Sequence, residues 1–167
     1  MKQSALPEVF QFALKMEADG ERLYRAMAAK TADAGVKSIL NGLADDEIKH
    51  ARIIREMAQG AVPEMAQTHI LQDAKNVFSG LDVKKGFEAA GADQVALYRQ
   101  ALDVETKSRD YYKAQAAQAQ EKGARDLFER LSAEEARHMF LVDNMLQFIQ
   151  RPKMWLENAE FNHLEEY

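Results

Sequence analysis

Apolar residues recur at helical spacing along four long stretches of this chain, and each apolar stripe is interrupted by one or two ionisable residues. The first stretch runs from about Pro7, favourable at a helix start, to about Lys30. Its stripe of Phe10, Ala13, Gly20, Tyr24 and Met27 contains Glu17. The second, about Gly35 to Ala58, carries Val36, Leu40, Leu43, Ile54 and Met57, with Glu47 and His50 among them. The third runs from about Asp93, read as an N-cap, to about Gln120, and places Glu105 among Val95, Tyr98, Ala101, Tyr112 and Ala116. The fourth, about Ala124 to Gln150, ends ahead of Pro152 and sets Glu135 and His138 among Leu131, Val142, Met145 and Ile149.

The connections predict how these helices are arranged. Short links containing Gly35 and Gly123 make two antiparallel hairpins. A long link over about 59–92, with a short helix around "HILQDAKNVF", suits an all-α, antiparallel four-helix bundle with one long crossover. The tail "PKMWLENAEFNHLEEY" predicts a short fifth helix over 153–167. The chain reads as a single domain over 1–167, with its four-helix core at about 8–150.

The two hairpins are also one pattern repeated. At an offset of 88 residues, and without a gap, Glu17 falls on Glu105, Tyr24 on Tyr112, Glu47 on Glu135 and His50 on His138. In each half a Glu stands 30 residues before the Glu of the Glu-x-x-His pair. With 16 Glu and 4 His, chance supplies about 0.4 such pairs, so the motif alone is weak. A third pair, Glu160–His163, has Arg130 at the upstream position and reads as a solvated helix face.

Three residues are close to one helical turn, so each Glu and its His share a face. Six residues, Glu17, Glu47, His50, Glu105, Glu135 and His138, then converge in the bundle core. Four buried carboxylates without a counter-charge would cost several kcal/mol each, roughly, even after relaxation. Two divalent ions cancel them. Of the net charge of −5, four units belong to these carboxylates, which leaves −1 for the rest. Oxygen-rich ligation with one imidazole per ion suits iron or manganese. The arrangement expected has Glu47 and Glu135 between the ions, Glu17 and His50 on one side, and Glu105 and His138 on the other. Tyr24 and Tyr112, two turns along the same face, are either donors to the carboxylates or core aromatics. Glu21, Asp46 and Glu134 point away on helical spacing and read as solvated, and His69 as a surface or packing residue.

Composition narrows the chemistry. With no cysteine, thiolate catalysis, disulfides, Cys-ligated zinc and iron–sulfur clusters are excluded. Mild acidity and the lack of a basic stripe argue against a nucleic-acid partner. No apolar run is long enough for a signal peptide or a membrane span, so a cytoplasmic location is the expectation.

The combined motifs resemble the ferritin-like superfamily, and within it the rubrerythrin-type proteins, over residues 8–150. The resemblance rests on "E-x-x-G-x-x-x-Y" (Glu17, Gly20, Tyr24), "L-A-x-x-E-x-x-H" (Leu43, Ala44, Glu47, His50) and the tail from Trp155 to Tyr167. It implies a ferritin-like fold and a di-iron carboxylate site, with two iron ions or manganese in part. Such a site reacts with dioxygen or hydrogen peroxide, oxidising ferrous iron or reducing peroxide to water. Two departures matter. Rubrerythrin proper carries a rubredoxin-like centre held by four cysteines, and a chain without cysteine needs a separate electron donor protein. The family's extra glutamate, one turn after the third-helix ligand, is here Ser108. The other readings are an iron-binding module that stores or delivers metal, and an oxygenase acting on an organic substrate. A homo-oligomer, preferably a dimer, is expected from the apolar crossover and the Trp155 tail.

Overall fold

The computed structural model describes residues 6–81 and 90–151. The tail, with its expected helix over 153–167 and the Glu160–His163 pair, lies outside the described residues. Within them the chain forms five helices: α1 (Glu8–Lys30), α2 (Ala34–Ala58), α3 (Ile70–Ser79), α4 (Ala92–Gln118) and α5 (Lys122–Gln150). No strand occurs among the described residues.

Local chemistry explains the helix ends. Asp33 caps α2 by accepting from the Val36 amide at 2.8 Å. The N-cap of α4 is Gly91 rather than Asp93, which instead lies in the first turn, where its charge favours the helix dipole. The three-residue links between α1 and α2, and between α4 and α5, force antiparallel hairpins.

The hairpins pack against each other in antiparallel register. On one side α1 meets α4: Tyr111 on α4 donates to the Val9 carbonyl on α1 at 2.8 Å. Further along α1, Tyr24 reaches back to Glu105. On the other side α2 faces α5, and between them runs the crossover. Val62 sits over Gly123, Met65 is buried, and Thr68 bonds to both helices. The chain then enters α3, whose buried face is Ile70, Ala74 and Phe78, spaced by four. Gly42 on α2 lets α3 lie close, because a Cβ there would stand 2.7 Å from Ile70 Cδ1. Phe78 meets Phe148 of α5 edge-on, with ring centroids 5.3 Å apart.

The apolar interior is divided in two. One cluster holds Tyr24, Leu40, Leu43, Phe78, Val142 and Met145, and the other Ala13, Ile54, Tyr112, Leu127, Phe128 and Leu131. In all four long helices the ionisable residues fall between these clusters, so they form a polar layer across the middle of the bundle.

Candidate metal centre

All six residues singled out by the repeat are buried in that layer, none more than 4 % exposed. Helical spacing accounts for the convergence: Glu47 and His50 share the inner face of α2, Glu135 and His138 that of α5, and Glu17 and Glu105 come from α1 and α4. Two ligand sets result. Glu17, Glu47, His50 and Glu135 offer one atom each within 4.8 Å of one another, as do Glu47, Glu105, Glu135 and His138. Glu47 and Glu135 belong to both.

The imidazoles face inward through Nδ1. His50 Nδ1 lies 3.1 Å from Glu135 Oε1 and 3.4 Å from Glu17 Oε2. His138 Nδ1 lies 3.4 Å from Glu47 Oε1, 3.5 Å from Glu135 Oε2 and 3.7 Å from Glu105 Oε1. The two rings are nearly parallel, at 18° with centroids 5.5 Å apart.

Their outer nitrogens meet two residues that helical spacing had assigned to solvent. His50 Nε2 is 3.1 Å from Glu134 Oε2, and His138 Nε2 is 3.4 Å from Asp46 Oδ2. Asp46 and Glu134 are therefore corrections: both are buried, at 3 % and 4 % exposure. They do point away from their own helix's ligands, but toward the imidazole of the facing helix. The sequence did carry a signal, because both are acidic and stand at the same offset of 88. Glu21 stays at the surface beside Arg25, and His69 is exposed. Thr68, which pattern gave no reason to single out, touches both outer carboxylates.

The tyrosines cross the bundle in the same way. Tyr24 donates to Glu105 and Tyr112 to Glu17, each from one hairpin to the other. Gly20, one turn after Glu17, lets Glu47 lie against α1, since a Cβ there would stand 3.2 Å from Glu47 Cδ. The matching position on α4 is Ser108, also buried.

The rubrerythrin family model matches residues 8–146 of this chain. The chain belongs to the rubrerythrin family. No curated protein and no solved structure matches it. The architecture is accordingly a ferritin-like helical bundle, and the carboxylate–histidine cluster occupies its centre.

Electrostatics of this rubrerythrin-family centre follow from crowding acids out of water. Burial, reinforced by the charges of Glu135, Glu105 and Glu17, holds the Glu47 carboxyl well above the usual range. Glu105 is pushed up to about 8 by burial and by Glu135. Burial works against a charged imidazole, yet Glu135 and the surrounding carboxylates outweigh it and raise His50. His138 is raised in the same way, with Glu105 and Asp46 as the main partners. Glu135 shows the opposite balance, because both imidazoles overcome its burial and hold it low. Burial and the neighbouring Glu105 and Glu17 keep Tyr24 and Tyr112 as neutral phenols, able to donate.

Unpaired atoms test whether the layer fits a metal. Apart from the Tyr98 hydroxyl, the buried side-chain atoms without a hydrogen bond among the described residues are Glu17 Oε2, His50 Nδ1, His138 Nδ1 and both Glu135 oxygens. Buried polar atoms are normally paired, and each orphan costs about 1–3 kcal/mol. All five belong to the two ligand sets. Glu134 and Asp46 stand against the outer nitrogens, so Nε2 carries its proton toward them and Nδ1 is the nitrogen left to face a metal. Oxygen-rich donors with outward-bonded imidazoles are what a buried divalent cation requires. The residues fit.

Proposed function

We propose that this chain is a two-metal redox protein, a di-iron oxidoreductase that consumes dioxygen or hydrogen peroxide with electrons from a separate donor protein. The observation that carries the reading is the sharing of Glu47 and Glu135 between two otherwise separate ligand sets. A single-ion site would not call for two such sets, and a structural bundle would have no use for buried acids between its apolar clusters. Glu17 and His50 would complete one metal position, and Glu105 and His138 the other. Ferrous iron held there supplies the electrons for reducing the O–O bond.

The chain's own residues set the conditions. The two apolar clusters above and below the layer exclude bulk water and strengthen every charge interaction within it. Tyr24 and Tyr112 each take up one oxygen of a terminal carboxylate, Glu105 and Glu17, which limits how those groups can turn. Asp46 and Glu134 orient the imidazoles. These 167 residues contain no cysteine to hold a thiolate-ligated redox centre, and a second protein would bring the electrons.

The test is anaerobic loading with Fe²⁺ followed by mixing with O₂ or H₂O₂. A ferric absorption band rising rapidly at two irons per chain is the expected result, and Glu47→Ala with Glu135→Ala should abolish it. Two bound irons that react no faster than free Fe²⁺ would replace this reading with simple storage or delivery.

A further inference from the structure

One residue outside the repeat joins both halves of the centre. Thr68 lies on the crossover, where the chain passes over the seam between α2 and α5. Its backbone N–H donates to Glu134 Oε1 at 3.0 Å, and Glu134 Oε2 receives His50 Nε2 at 3.1 Å. Its hydroxyl donates to Asp46 Oδ2, the same oxygen that His138 Nε2 approaches at 3.4 Å. Lys49 Nζ holds the other Asp46 oxygen at 2.6 Å. Every oxygen of the two outer carboxylates thus has a partner, and Thr68 supplies one on each.

Thr68 is itself held in place. Its hydroxyl accepts from the Ile70 amide at 3.2 Å, at the start of α3. Helix α3 is anchored by Ile70, Ala74 and Phe78 in the apolar core. The packing of α3 therefore helps to fix Thr68 from outside the centre.

We infer that Thr68 is a positioning residue that orients both imidazoles at once, one through its backbone N–H and Glu134, the other through its hydroxyl and Asp46. The inference rests on the two-metal reading above. Its chemistry is asymmetric, and that makes it separable. Thr68→Val keeps the amide and deletes the hydroxyl, so it frees Asp46 Oδ2, the oxygen facing His138, while Lys49 still holds Oδ1 and Glu134 and His50 stay held. Thr68→Ser keeps both.

The experiment uses the full chain titrated with Co²⁺, followed by visible absorption and calorimetry. The wild type should take up two ions. Thr68→Val should bind one of them about 10-fold more weakly, at the low end of what removing an outer partner of a ligand costs, with the other unchanged. Thr68→Ser should restore both. In the metal-free protein, exchange-protected Nε2–H signals of His50 and His138 are expected by ¹H–¹⁵N NMR, and Thr68→Val should lose the one belonging to His138. Thr68→Ala makes the same deletion with a smaller side chain and should agree.

Unchanged Co²⁺ binding with both ring N–H signals retained overturns the inference. So does a loss at both ions that serine fails to restore, which would mark a packing role. A wild type that takes up no Co²⁺ would instead sink the two-metal reading, while the NMR signals would still decide what Thr68 holds.

Discussion

Tyr112 donates its hydroxyl to Glu17 across the bundle, and 88 residues earlier Tyr24 does the same to Glu105. Each phenol is buried and neutral, and each carboxylate belongs to the opposite hairpin. Removing one donor leaves a buried acid short of a partner. Tyr112→Phe should therefore destabilise the metal-free protein by about 1–3 kcal/mol in chemical denaturation, and Tyr24→Phe by a similar amount. Both carboxylates sit in one buried cluster with Glu47 and Glu135, so the double variant should depart from the sum of the two single effects.

The outer carboxylates act across the seam, so their loss should appear at the facing hairpin's ligand. Glu134→Ala should weaken the ion on the His50 side, and Asp46→Ala the ion on the His138 side, each by about 10–100-fold. Metal titration of the two variants, with His50 and His138 monitored by NMR, reads this directly. Equal weakening of both ions by each substitution would contradict it.

Glu47 lies in the space that Gly20 leaves without a Cβ, and replacing that glycine should separate metal binding from folding. An alanine Cβ there requires Glu47 to give by a few tenths of an ångström. The helix gains roughly 0.8–1.0 kcal/mol of intrinsic propensity from the same change. Gly20→Ala should thus leave the metal-free melting temperature unchanged or slightly raised while lowering metal affinity several-fold. A parallel loss of both would show that α1 itself has shifted.

Acidity of the metal-free layer gives a prediction with a definite sign. Glu47 and Glu105 hold their protons above the ordinary value of 4.5, with Glu105 at about 8, and both imidazoles are raised above 6.5. For every one of these groups the folded value exceeds the unfolded one. Their stabilisation is complete below the unfolded values and is lost as pH climbs through the folded ones. Glu135 is held low, so its contribution is constant above 4.5. The metal-free protein should melt at a lower temperature at pH 9 than at pH 6. Metal binding should release protons at pH 7, measurable by calorimetry in buffers of different ionisation enthalpy.

The inner centre was legible because its residues break a pattern. A glutamate inside an apolar helical stripe is conspicuous, and six such interruptions recur at one offset. Asp46 and Glu134 were not conspicuous, since they lie beside the stripe, where an acid is ordinarily solvated. What buries them is the closeness of α2 and α5 and the crossover passing over both, a tertiary fact that helical spacing along one chain does not contain. Thr68 was hidden for the same reason: a threonine in a link carries no period, and its importance comes only from where α3 anchors it. The short helix in the crossover was readable from its own apolar spacing. The capping of α4 by Gly91 was not, because Asp93 offers an equally good start two residues later.

Four side-chain bonds around the layer run from one hairpin to the other: Tyr24 to Glu105, Tyr112 to Glu17, His50 to Glu134 and His138 to Asp46. Neither hairpin therefore holds half a working centre by itself. Two identical copies of one such hairpin, docked face to face, would nevertheless contain a counterpart of every residue in those four bonds. Nothing in such a pair would correspond to the crossover, so the two bonds of Thr68 are what a single chain adds to the layer.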